Sequence, residues 1–326
     1  MYTITLKDNY IAPDAQARQS YIDVHEHRVT PWNTILAPVA NITQKDLTSI
    51  GGKPDQYMVD CLFYEIDVAT NDILFSWSAL DRVPIALSTA GIEGYGTHQK
   101  PFDPYRLNTI TPAKQGYVIS LQHCSSTFYH NKDCSIRWQL SSIDGGDFQL
   151  NYVGFSRQSH VRIYNETDDS FFLSLFGSVK RRGKTDMSSA LILNVDLVNY
   201  QATPLRKVSD PNDPVYSPNP GSLQVLGPKT SQPHLFVGYE DVPKLKEYDG
   251  EGNAVLTAQF GEFELQSYHG YKFQWRATPS WKPAVVVHRA SDKTVEVYMS
   301  WNGATEYALG DLLCFTVEQD HSPCLL

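Results

Sequence analysis

The sequence has few cysteines, few methionines, no long hydrophobic run and a shortage of positive charge. Among 326 residues there are 5 cysteines and 4 methionines, and 27 basic residues stand against 36 acidic ones, for a net charge of −9. Nucleic acid and anionic membranes bind to basic surfaces, which this composition does not favour. No apolar run reaches the roughly 18 residues that a transmembrane helix needs. We therefore expect no nucleic-acid partner and no membrane span.

The cysteines do not form a metal-binding pattern. None lies in a CxxC spacing or has histidines at zinc-site spacing, so neither a metal nor a cofactor is expected. The five positions are Cys61, Cys124, Cys134, Cys314 and Cys324. Because Cys124 and Cys134 flank an apparent hairpin, a disulfide between them is an open expectation. Together with glycosylation sequons at Asn41 and Asn165, it favours a soluble protein of secretory origin whose leader has been removed.

Short motifs for nucleotide, phosphate or metal binding are also missing. The chain contains no Walker loop, no GxGxxG after a strand, no HExxH and no GxSxG. His25 and His27 alternate within a predicted strand and would share one face, but no third metal ligand lies near them. The basic run at Lys180 to Lys184 is interpreted as a solvated loop. Function must therefore be sought in the fold and in clusters of polar side chains.

What the sequence does contain is a succession of short β-branched and aromatic runs separated by Gly, Pro, Asn and Asp. Such runs predict an all-β protein. At four strands per blade, roughly 22 to 24 runs predict a six-bladed β-propeller with antiparallel blades, with a β-sandwich pair or large barrel as the alternative. The clearest runs are Asp60 to Val68, Ile73 to Trp77, Tyr117 to Gln122, Ser135 to Leu140, Ala190 to Leu197, Leu235 to Tyr239, Ala254 to Phe260 and Thr294 to Trp301.

A hairpin recurs along the chain and supports the blade interpretation. Its four returning strands are spaced by about 50 to 70 residues, the size of a propeller blade with variable loops. The turn Asp249 to Asn253 is the strongest hairpin signal. The Pro-rich stretch from Ser209 to Pro220 is interpreted as a long loop and not as a domain linker, because similar strands continue on both sides. We expect one domain over residues 1–326, with a first blade that is complete or abbreviated.

Three polar clusters interrupt the apolar strands and are candidates for a site at the centre of the propeller. They are Leu80-Asp81-Arg82-Val83, Tyr105-Arg106-Leu107-Asn108 and Phe155-Ser156-Arg157-Gln158-Ser159-His160-Val161-Arg162. A single arginine in a β protein is usually a surface or salt-bridge residue, and a single histidine usually has a structural role. Three similar clusters at blade-like positions indicate a shared site. The aromatic content of 12% suits an apolar cavity with a few polar groups, although aromatics also fill the space between blades.

At these clusters the sequence resembles the fungal arylsulfotransferase-like family, whose members are six-bladed propellers. The resemblance covers nearly the whole chain, although family members usually carry a further N-terminal segment. It rests on Val24-His25-Glu26, Asp46-Leu47 to Gly51-Gly52, Phe63 to Asp67 with Ile73 to Asp81, Leu107-Asn108, Gly116 to Leu121, Ile136 to Leu140 and the heptapeptide Ser300-Trp301-Asn302-Gly303-Ala304-Thr305-Glu306. The resemblance implies a propeller with an active site at its axis.

The chain departs from this family where the family carries histidines. The family's Asp-His-Val reads Asp81-Arg82-Val83 here, its Phe-His-x-Asn reads Tyr105-Arg106-Leu107-Asn108, and its Gln-His-Asp-Ala-Arg reads Gln158-Ser159-His160-Val161-Arg162. The family's reaction resembles a ping-pong transfer through a sulfo-histidine. A guanidinium stays protonated at pH 7 and cannot act as nucleophile or base. His160 is the candidate replacement, but one residue along a strand it is expected to face away from position 159.

The resemblance therefore favours a different reaction, because the same family includes fungal hetero-Diels-Alderases. These join a quinone-methide tropolone or phenol to a humulene-type polyene in the biosynthesis of tropolonic sesquiterpenes. Arginines could polarise the heterodiene oxygen while aromatic walls hold two apolar small molecules together, with no cofactor. An arylsulfotransferase with an altered site and a non-catalytic ligand-binding propeller remain alternatives. The candidate catalytic residues are Arg82, Arg106, Arg162, Gln158 and His160, and the candidate substrate-binding residues are Tyr105, Asn108, Tyr239, Trp275 and Trp301.

Overall fold

A computed structural model of the chain describes most of its residues. The described ranges are 20–23, 25–143, 145–151, 154–179, 187–219, 221–262, 265–274, 284–291 and 294–300. The chain divides into two compact units, Met1–Tyr271 and Lys272–Leu326. Within the described ranges the only helices are 3-10 turns, at Thr48–Ile50, Ile85–Leu87 and Gln122–Cys124. No helix in these ranges has the length and hydrophobicity needed to cross a membrane.

Four sheets follow one another along the first unit. Sheet A contains β1 Ser20–Ile22, β2 Arg28–Val29, β3 Thr34–Lys45, β4 Gln56–Asp67 and β5 Ile73–Ser78. Sheet B contains β6 Leu107–Ala113, β7 Gly116–Leu121, β8 Ser126–Asn131 and β9 Ile136–Ser141. Sheet C contains β10 Gln149–Leu150, β11 Ser156–Tyr164, β12 Ser170–Val179, β13 Met187–Asp196 and β14 Gln201–Val208. Sheet D contains β15 Ser222–Leu226, β16 His234–Tyr239, β17 Lys244–Tyr248 and β18 Ala254–Gln259.

In each sheet the longer strands form an antiparallel meander, in which strands that follow one another in the chain pair with each other. In sheet A, β1 and β2 both pair with β3, so the first edge of that sheet is a strand interrupted between β1 and β2. The short β10 adds to sheet C in parallel with β14. The second unit contains one described hairpin, β19 Ala284–Ser291 with β20 Thr294–Ser300. The prediction of an all-β chain with four-stranded antiparallel sheets is confirmed.

The recurring hairpin of the sequence corresponds to the last two strands of each sheet in the first unit. These are β4 with β5, β8 with β9, β13 with β14, and β17 with β18. The turn before β18 forms as predicted, because the Asp249 amide donates to the Asn253 carbonyl at 3.0 Å and Gly252 adopts a left-handed φ of 92°. The stretch between β14 and β15 is a long loop, as its prolines and aspartates predict.

The first strands of successive sheets are tied together by side chains that bond to a neighbouring backbone. Asn108 on β6 donates to the Gln158 carbonyl at 2.6 Å, and Thr111 donates to the Val161 carbonyl at 2.8 Å. On the other side of β11, Ser159 donates to the carbonyl of Gly221 at 2.7 Å, just before β15. These bonds place the starts of β6, β11 and β15 side by side.

Aromatic side chains fill the space between sheets. Phe63 and Trp77 of sheet A pack with Tyr117 and Phe128 of sheet B in one core cluster. Between sheets B and C, Trp138 stacks on Phe171 with ring centroids 5.2 Å apart. Each fully buried side chain of this size contributes roughly 1.5 to 3 kcal/mol. Most of the aromatic content of this unit therefore stabilises the packing of one sheet on the next.

The expected disulfide between Cys124 and Cys134 is wrong, since both thiols are free, as is that of Cys61. Cys124 ends the 3-10 turn before β8, whereas Cys134 lies in the turn after it. A strand of six residues spans about 20 Å, and bridged cysteines need Cα atoms within about 7 Å. The Sγ atoms of Cys124 and Cys134 lie instead against the carbonyls of Pro104 and Ser76.

The two sequons differ in their surroundings. Asn41 lies inside β3, where its side-chain oxygen accepts a hydrogen bond from the Ser20 hydroxyl at 2.7 Å. Asn165 is exposed in the turn between β11 and β12, with a left-handed φ of 51°. Only Asn165 therefore has the exposed turn position that a glycan requires.

Candidate functional site

Polar side chains from the inner edges of the sheets in the first unit form a connected group, which we call the inner cluster. Its members are linked by ion pairs, ring contacts, hydrogen bonds and mutual electrostatic effects. They come from the interrupted edge of sheet A, the starts of β6 and β11, the end of β16 and the segment after β18. The members are Asp23, His25, Glu26, Arg28, Arg106, Asn108, Gln158, His160, Arg162, Glu240, Tyr268, His269 and Tyr271.

Asp23 and His25 form an acid–base pair in the inner cluster that hydrogen bonds hold in place. The Asp23 backbone amide donates to the Pro38 carbonyl at 3.0 Å, which fixes the aspartate on β3. The His25 Nδ1–H donates to Asp23 Oδ1 at 2.5 Å, and the His25 backbone amide donates to the same oxygen at 2.8 Å. No described residue bonds to the opposite nitrogen, Nε2. An imidazole held in one tautomer by a carboxylate is the arrangement of a base or nucleophile.

The protonation of this pair follows from its contacts. The hydrogen bond to Asp23 raises the pKa of His25 above its ordinary value, against the opposing effect of burial. Burial alone would raise the pKa of Asp23, but the hydrogen bonds from the His25 ring and backbone outweigh it and hold that pKa below its ordinary value. Asp23 is therefore a carboxylate at neutral pH, and His25 gains a basic Nε2.

His25 faces a small cavity of about 260 Å³, which we call the narrow cavity. Tyr268 forms one side of it and contacts the His25 ring edge-on, with centroids 4.9 Å apart. Arg106 and Asn108 also line it. The remaining lining residues are Tyr21, Asp23, Pro38, Val39, Ala40, Val59, Cys61, Leu62, Asp103 and Leu107. A histidine, an arginine and an asparagine thus line the same space.

Arg106 occupies a strained backbone position at the start of β6. Its φ of 48° lies in the left-handed region, and the Asp103 carboxylate stabilises the turn by accepting the backbone amides of Tyr105 and Arg106 at 3.1 and 2.8 Å. The guanidinium Nε donates to Gln122 Oε1 at 3.1 Å. Its two terminal nitrogens bond to no residue that the structure describes. They remain available for an anion or a carbonyl oxygen.

A second part of the inner cluster contains two neutral histidines. The His160 Nδ1–H donates to the Leu223 carbonyl at 2.8 Å, while Nε2 accepts from the Tyr271 hydroxyl at 3.1 Å. Burial, reinforced by the charge of Arg162, holds the pKa of His160 well below its ordinary value. Burial likewise lowers the pKa of His269 to about 3. Both rings are uncharged at pH 7, and His269 lies edge-on to His160 at 4.6 Å.

Arg162 pairs with a carboxylate instead of facing a cavity. Its Nη2 lies 2.7 Å from Glu26 Oε1, and both side chains are nearly inaccessible. Nη1 donates to the Val161 carbonyl at 3.0 Å and to Thr111 Oγ1 at 3.3 Å. Glu26 has a left-handed φ of 46°, so the interrupted edge of sheet A turns inward at this residue. Arg162 therefore joins sheets A, B and C.

Strict strand alternation does not hold at His160, so the expectation that it faces away from position 159 is wrong. Its φ is 49°, and the pairing of β11 with β12 shifts between Ser156 and Ser159 and again between Ser159 and Arg162. As a result Ser159 and His160 both bond to carbonyls at the start of sheet D. A bulge, which the sequence does not reveal, redirects the side chain.

Arg82 is not brought into the inner cluster. It is exposed, its Nη1 lies 3.4 Å from the Asp81 carbonyl, and it lines a separate cavity of about 390 Å³ with Lys45. Tyr105 is fully buried and donates its hydroxyl to the Val83 carbonyl at 2.8 Å. Tyr105 therefore holds the loop that carries Arg82 and does not face the narrow cavity.

The other predicted site residues are either buried between sheets or lie outside the described residues. Gln158 is fully buried, and its Nε2 donates to the carbonyls of Leu121 and Ser126 at 3.1 and 3.0 Å. These two hydrogen bonds hold sheet C against sheet B. Asn108 Oδ1 and Gln158 Oε1 are buried without a partner among the described residues, as expected where a ligand or water is accepted. Tyr239 is buried in the core between sheets C and D. Trp275 and Trp301 lie outside the described residues.

Sequence reasoning missed three features of this site. His25 was assessed only as a metal ligand, although the Asp-x-His spacing at Asp23 and His25 is a usable signal for an acid–base pair. His269 lies in an irregular segment that no motif marks. Glu240 follows β16, where burial and the neighbouring Asp241 raise its pKa to about 7, and it interacts electrostatically with His25 and Arg106. In the described part of the chain, no three His, Cys, Asp or Glu residues are grouped to hold a metal ion.

Comparisons with known proteins identify the family of the chain. A search of curated proteins finds no significant match. Among solved structures, one similar chain is a protein of unknown function from Bacteroides caccae, 12% identical, with 78% of this chain and 72% of that chain covered and a TM-score of 0.40. A likeness this distant carries no conclusion about fold or function. The family model described as Arylsulfotransferase (ASST) matches residues 1–261, and the chain therefore belongs to the arylsulfotransferase family.

Proposed function

We propose that this protein is an enzyme that transfers a sulfuryl group between aromatic hydroxyl compounds, with His25 as the nucleophile. The observation that carries the proposal is the Asp23–His25 pair, whose histidine lines a cavity together with Arg106 and has no described bonding partner at Nε2. Membership of the arylsulfotransferase family supports it. Three histidines of the family motifs are replaced here by Arg82, Arg106 and Ser159, whereas the matching Val24-His25-Glu26 keeps its histidine, which lies between β1 and β2.

The proposed reaction has two balanced steps. In the first, the lone pair of His25 Nε2 attacks the sulfur of an aryl sulfate, an N–S bond forms, and the S–O bond to the aryl group breaks to release an aryl oxide. In the second, the oxygen of an acceptor phenol attacks the same sulfur, the N–S bond breaks, and the phenolic proton is released. The Asp23 carboxylate stabilises the positive charge on the sulfated ring, and Arg106 neutralises charge on the sulfuryl oxygens.

Glu240 is suited to the proton transfers that accompany these steps. Its Oε2 is buried with no partner among the described residues, and its pKa of about 7 leaves it partly protonated at neutral pH. A carboxylic acid with that pKa can protonate a leaving aryl oxide in the first step and accept the phenolic proton in the second.

The test uses p-nitrophenyl sulfate as donor and phenol as acceptor. We expect release of p-nitrophenol with formation of phenyl sulfate, and loss of both in His25→Ala. His27→Ala is the matched control, because His27 lies two residues away on an exposed position and should retain full activity. Equal activity of the two variants would overturn the role of His25. Absence of p-nitrophenol release from the wild-type protein would overturn sulfuryl transfer itself.

A cofactor-free hetero-Diels-Alder reaction between a quinone methide and a humulene-type polyene is the second candidate. The observation in its favour is Arg106, whose terminal nitrogens could polarise a carbonyl oxygen beside the amide of Asn108. Arg106 also borders a second cavity of about 780 Å³, a volume suited to two reactants. This candidate predicts faster and more stereoselective formation of the adduct than in buffer. An unchanged adduct yield would eliminate it.

We further propose that sheets A to D are successive blades of a six-bladed propeller spanning residues 1–326. Their consecutive meander topology and the bonds between first strands support this arrangement. A crystal structure of the full chain tests it by the number of sheets around the axis. A non-catalytic ligand-binding propeller would give the same sheet count, but with binding of aryl sulfates and no turnover.

A further inference from the structure

Arg106 separates the narrow cavity from a larger one of about 780 Å³, which we call the wide cavity. Asp103 is the other residue that the two cavities share. The wide cavity is lined by Thr89, Ala90, Gly91, Tyr95, Phe102, Asp103, Arg106, Gln122, His123, Ser125, Ser156, Arg157 and Asn219. A ligand in the wide cavity can therefore contact the same arginine that lines the narrow cavity.

Three residues of this lining have strained backbones. Arg106, Ser125 and Arg157 have φ values of 48°, 47° and 50°, in the left-handed region that residues other than glycine rarely occupy. Each such residue costs roughly 1 to 3 kcal/mol and persists only where the surroundings enforce it. Strain of this kind concentrates at binding and catalytic sites. Three such positions lie around one cavity, and one of them, Ser125, also ends the 3-10 turn Gln122–Cys124.

The charged side chains of the wide cavity favour an anion. Two guanidinium groups line it, from Arg106 and Arg157. The Asp103 carboxylate already accepts backbone amides from the Arg106 turn, and the Asp103 carbonyl contacts His123 Nδ1 at 2.7 Å. Arg157 is exposed, and its only contact among the described residues is from Nη1 to the Pro218 carbonyl at 3.0 Å. The rest of that guanidinium can bind a ligand carboxylate in two-point geometry.

Aromatic and amide groups complete this lining. Tyr95 and Phe102 supply ring surface for an aryl group. Asn219 is held in place by Asp241, which accepts its backbone amide at 3.0 Å and its Nδ2 at 2.9 Å. The wall of the wide cavity is therefore positioned before any ligand binds.

We propose that the wide cavity binds the aryl body of a substrate that carries a second acidic group, and that Arg157 pairs with that group. The sulfate end of this substrate lies at Arg106, so the proposal rests on the proposed sulfuryl transfer for that end only. The ligand class is an aryl sulfate with a carboxylate at the far side of its ring system. Arg157 is then a specificity-determining residue, and the reaction itself does not depend on it.

The experiment compares aryl sulfates with and without a distal carboxylate, by calorimetric binding and by turnover. The probes are phenyl and 2-naphthyl sulfate, each against its carboxylated form, 4-carboxyphenyl and 6-carboxy-2-naphthyl sulfate. We expect at least one carboxylated probe to bind about tenfold more tightly than its parent, as one charge-assisted pair would give. Arg157→Asn, which tolerates the left-handed backbone, should remove this preference, so that carboxylated and parent sulfates bind equally. Arg137→Gln, at an exposed position of β9, is the control and should keep the preference.

The outcomes separate this inference from the proposed function. Equal affinity for carboxylated and parent sulfates, or a preference that survives in Arg157→Asn, would overturn the role of Arg157 while leaving sulfuryl transfer in place. A preference that depends on Arg157 without any turnover would support the wide cavity and overturn sulfuryl transfer. Failure of every probe to bind would overturn both.

Discussion

At the scale of single residues, the Asp23–His25 pair sets how activity should depend on pH. In the proposed reaction neutral His25 is the nucleophile, so activity should rise as pH increases through its pKa, which the Asp23 hydrogen bond raises. Asp23→Asn removes the charge that raises this pKa. The acidic limb of the kcat profile should then move to lower pH by about one unit, and kcat should fall roughly a hundredfold. A profile that moves to higher pH, or does not move, would contradict the role of Asp23.

The protonation of Glu240 sets the alkaline limb of the pH–rate profile. Its pKa of about 7 means that the protonated form is lost as pH rises through neutrality. With phenyl sulfate, a donor whose leaving group needs a proton, the wild-type rate should decline above that pH. Glu240→Gln should be slower by about a hundredfold with phenyl sulfate and lack the alkaline limb, whereas p-nitrophenyl sulfate, with its acidic leaving group, should lose little. Equal losses with both donors would indicate that Glu240 has only a structural role.

The contrast between Arg106 and Arg82 shows what the sequence can predict at this scale. Both replace a family histidine at similar positions, yet only Arg106 borders the cavities of the inner cluster. The difference arises from the left-handed turn that Asp103 stabilises at Arg106. No pattern in the sequence predicts this turn. The role of His25 was missed for a related reason, because its bond to Asp23 forms in an interrupted strand edge and not in a regular strand.

At the scale of elements, two lysines of β17 anchor the long loop between β14 and β15. Lys246 Nζ, on a fully buried side chain, lies 2.6 Å from Asp210 Oδ2 and 2.9 Å from Asp213 Oδ2, and donates to the Asp213 carbonyl at 2.7 Å. Lys244 pairs with Asp213 from a more accessible position. The same loop carries Asn219 to the wall of the wide cavity. The lysines therefore hold a loop that contributes to stability and also forms part of the proposed binding surface.

Lys246→Met should lower the free energy of unfolding by about 2 to 4 kcal/mol, because it leaves two carboxylates without their buried partner. Lys244→Met, which removes a more exposed pair, should cost less than about 1 kcal/mol. Urea unfolding of the two variants measures both. Because the loop shapes the wide cavity, Lys246→Met should also weaken binding of the carboxylated aryl sulfates. Equal stability of the two variants would contradict the anchoring role.

Strands were the most predictable elements, and their irregularities the least. Runs such as Ile73 to Trp77 and Ala254 to Phe260 lie almost entirely within β5 and β18, because β-branched runs bounded by turn residues leave few alternatives. The bulges of β11 could not be predicted, since they depend on pairing with β12 and on the carbonyls of the next sheet. The same limit explains the wrong disulfide, where a single strand was interpreted as a hairpin.

At the scale of the whole molecule, the first unit is stabilised by aromatic cores shared between consecutive sheets. Trp138 is almost fully buried and stacks on Phe171 of the next sheet. Trp138→Ala should therefore destabilise the protein by about 3 to 5 kcal/mol, whereas Leu205→Ala, at a half-exposed position on β14, should change stability by less than about 0.5 kcal/mol. Denaturant midpoints test this. A small effect of Trp138→Ala would mean that sheets B and C do not share a core.

The all-β architecture and its four-stranded sheets follow from local sequence, because each sheet is built from neighbouring strands. The inner cluster could not be predicted from local sequence. Its members come from segments more than 200 residues apart in the chain, such as Asp23 and Tyr268. Only the packing of one sheet on the next brings them together. The family resemblance directed attention to positions where histidines are replaced and away from His25.

The most direct test of the account is whether His25 becomes sulfated. The protein is mixed with p-nitrophenyl sulfate in the absence of an acceptor, quenched at alkaline pH and digested for mass spectrometry. We predict a burst of p-nitrophenol equal to the enzyme concentration and one sulfuryl group on the peptide that contains His25, with neither in His25→Ala. A burst with the sulfuryl group on another residue, or turnover without any labelled peptide, would contradict His25 as the nucleophile.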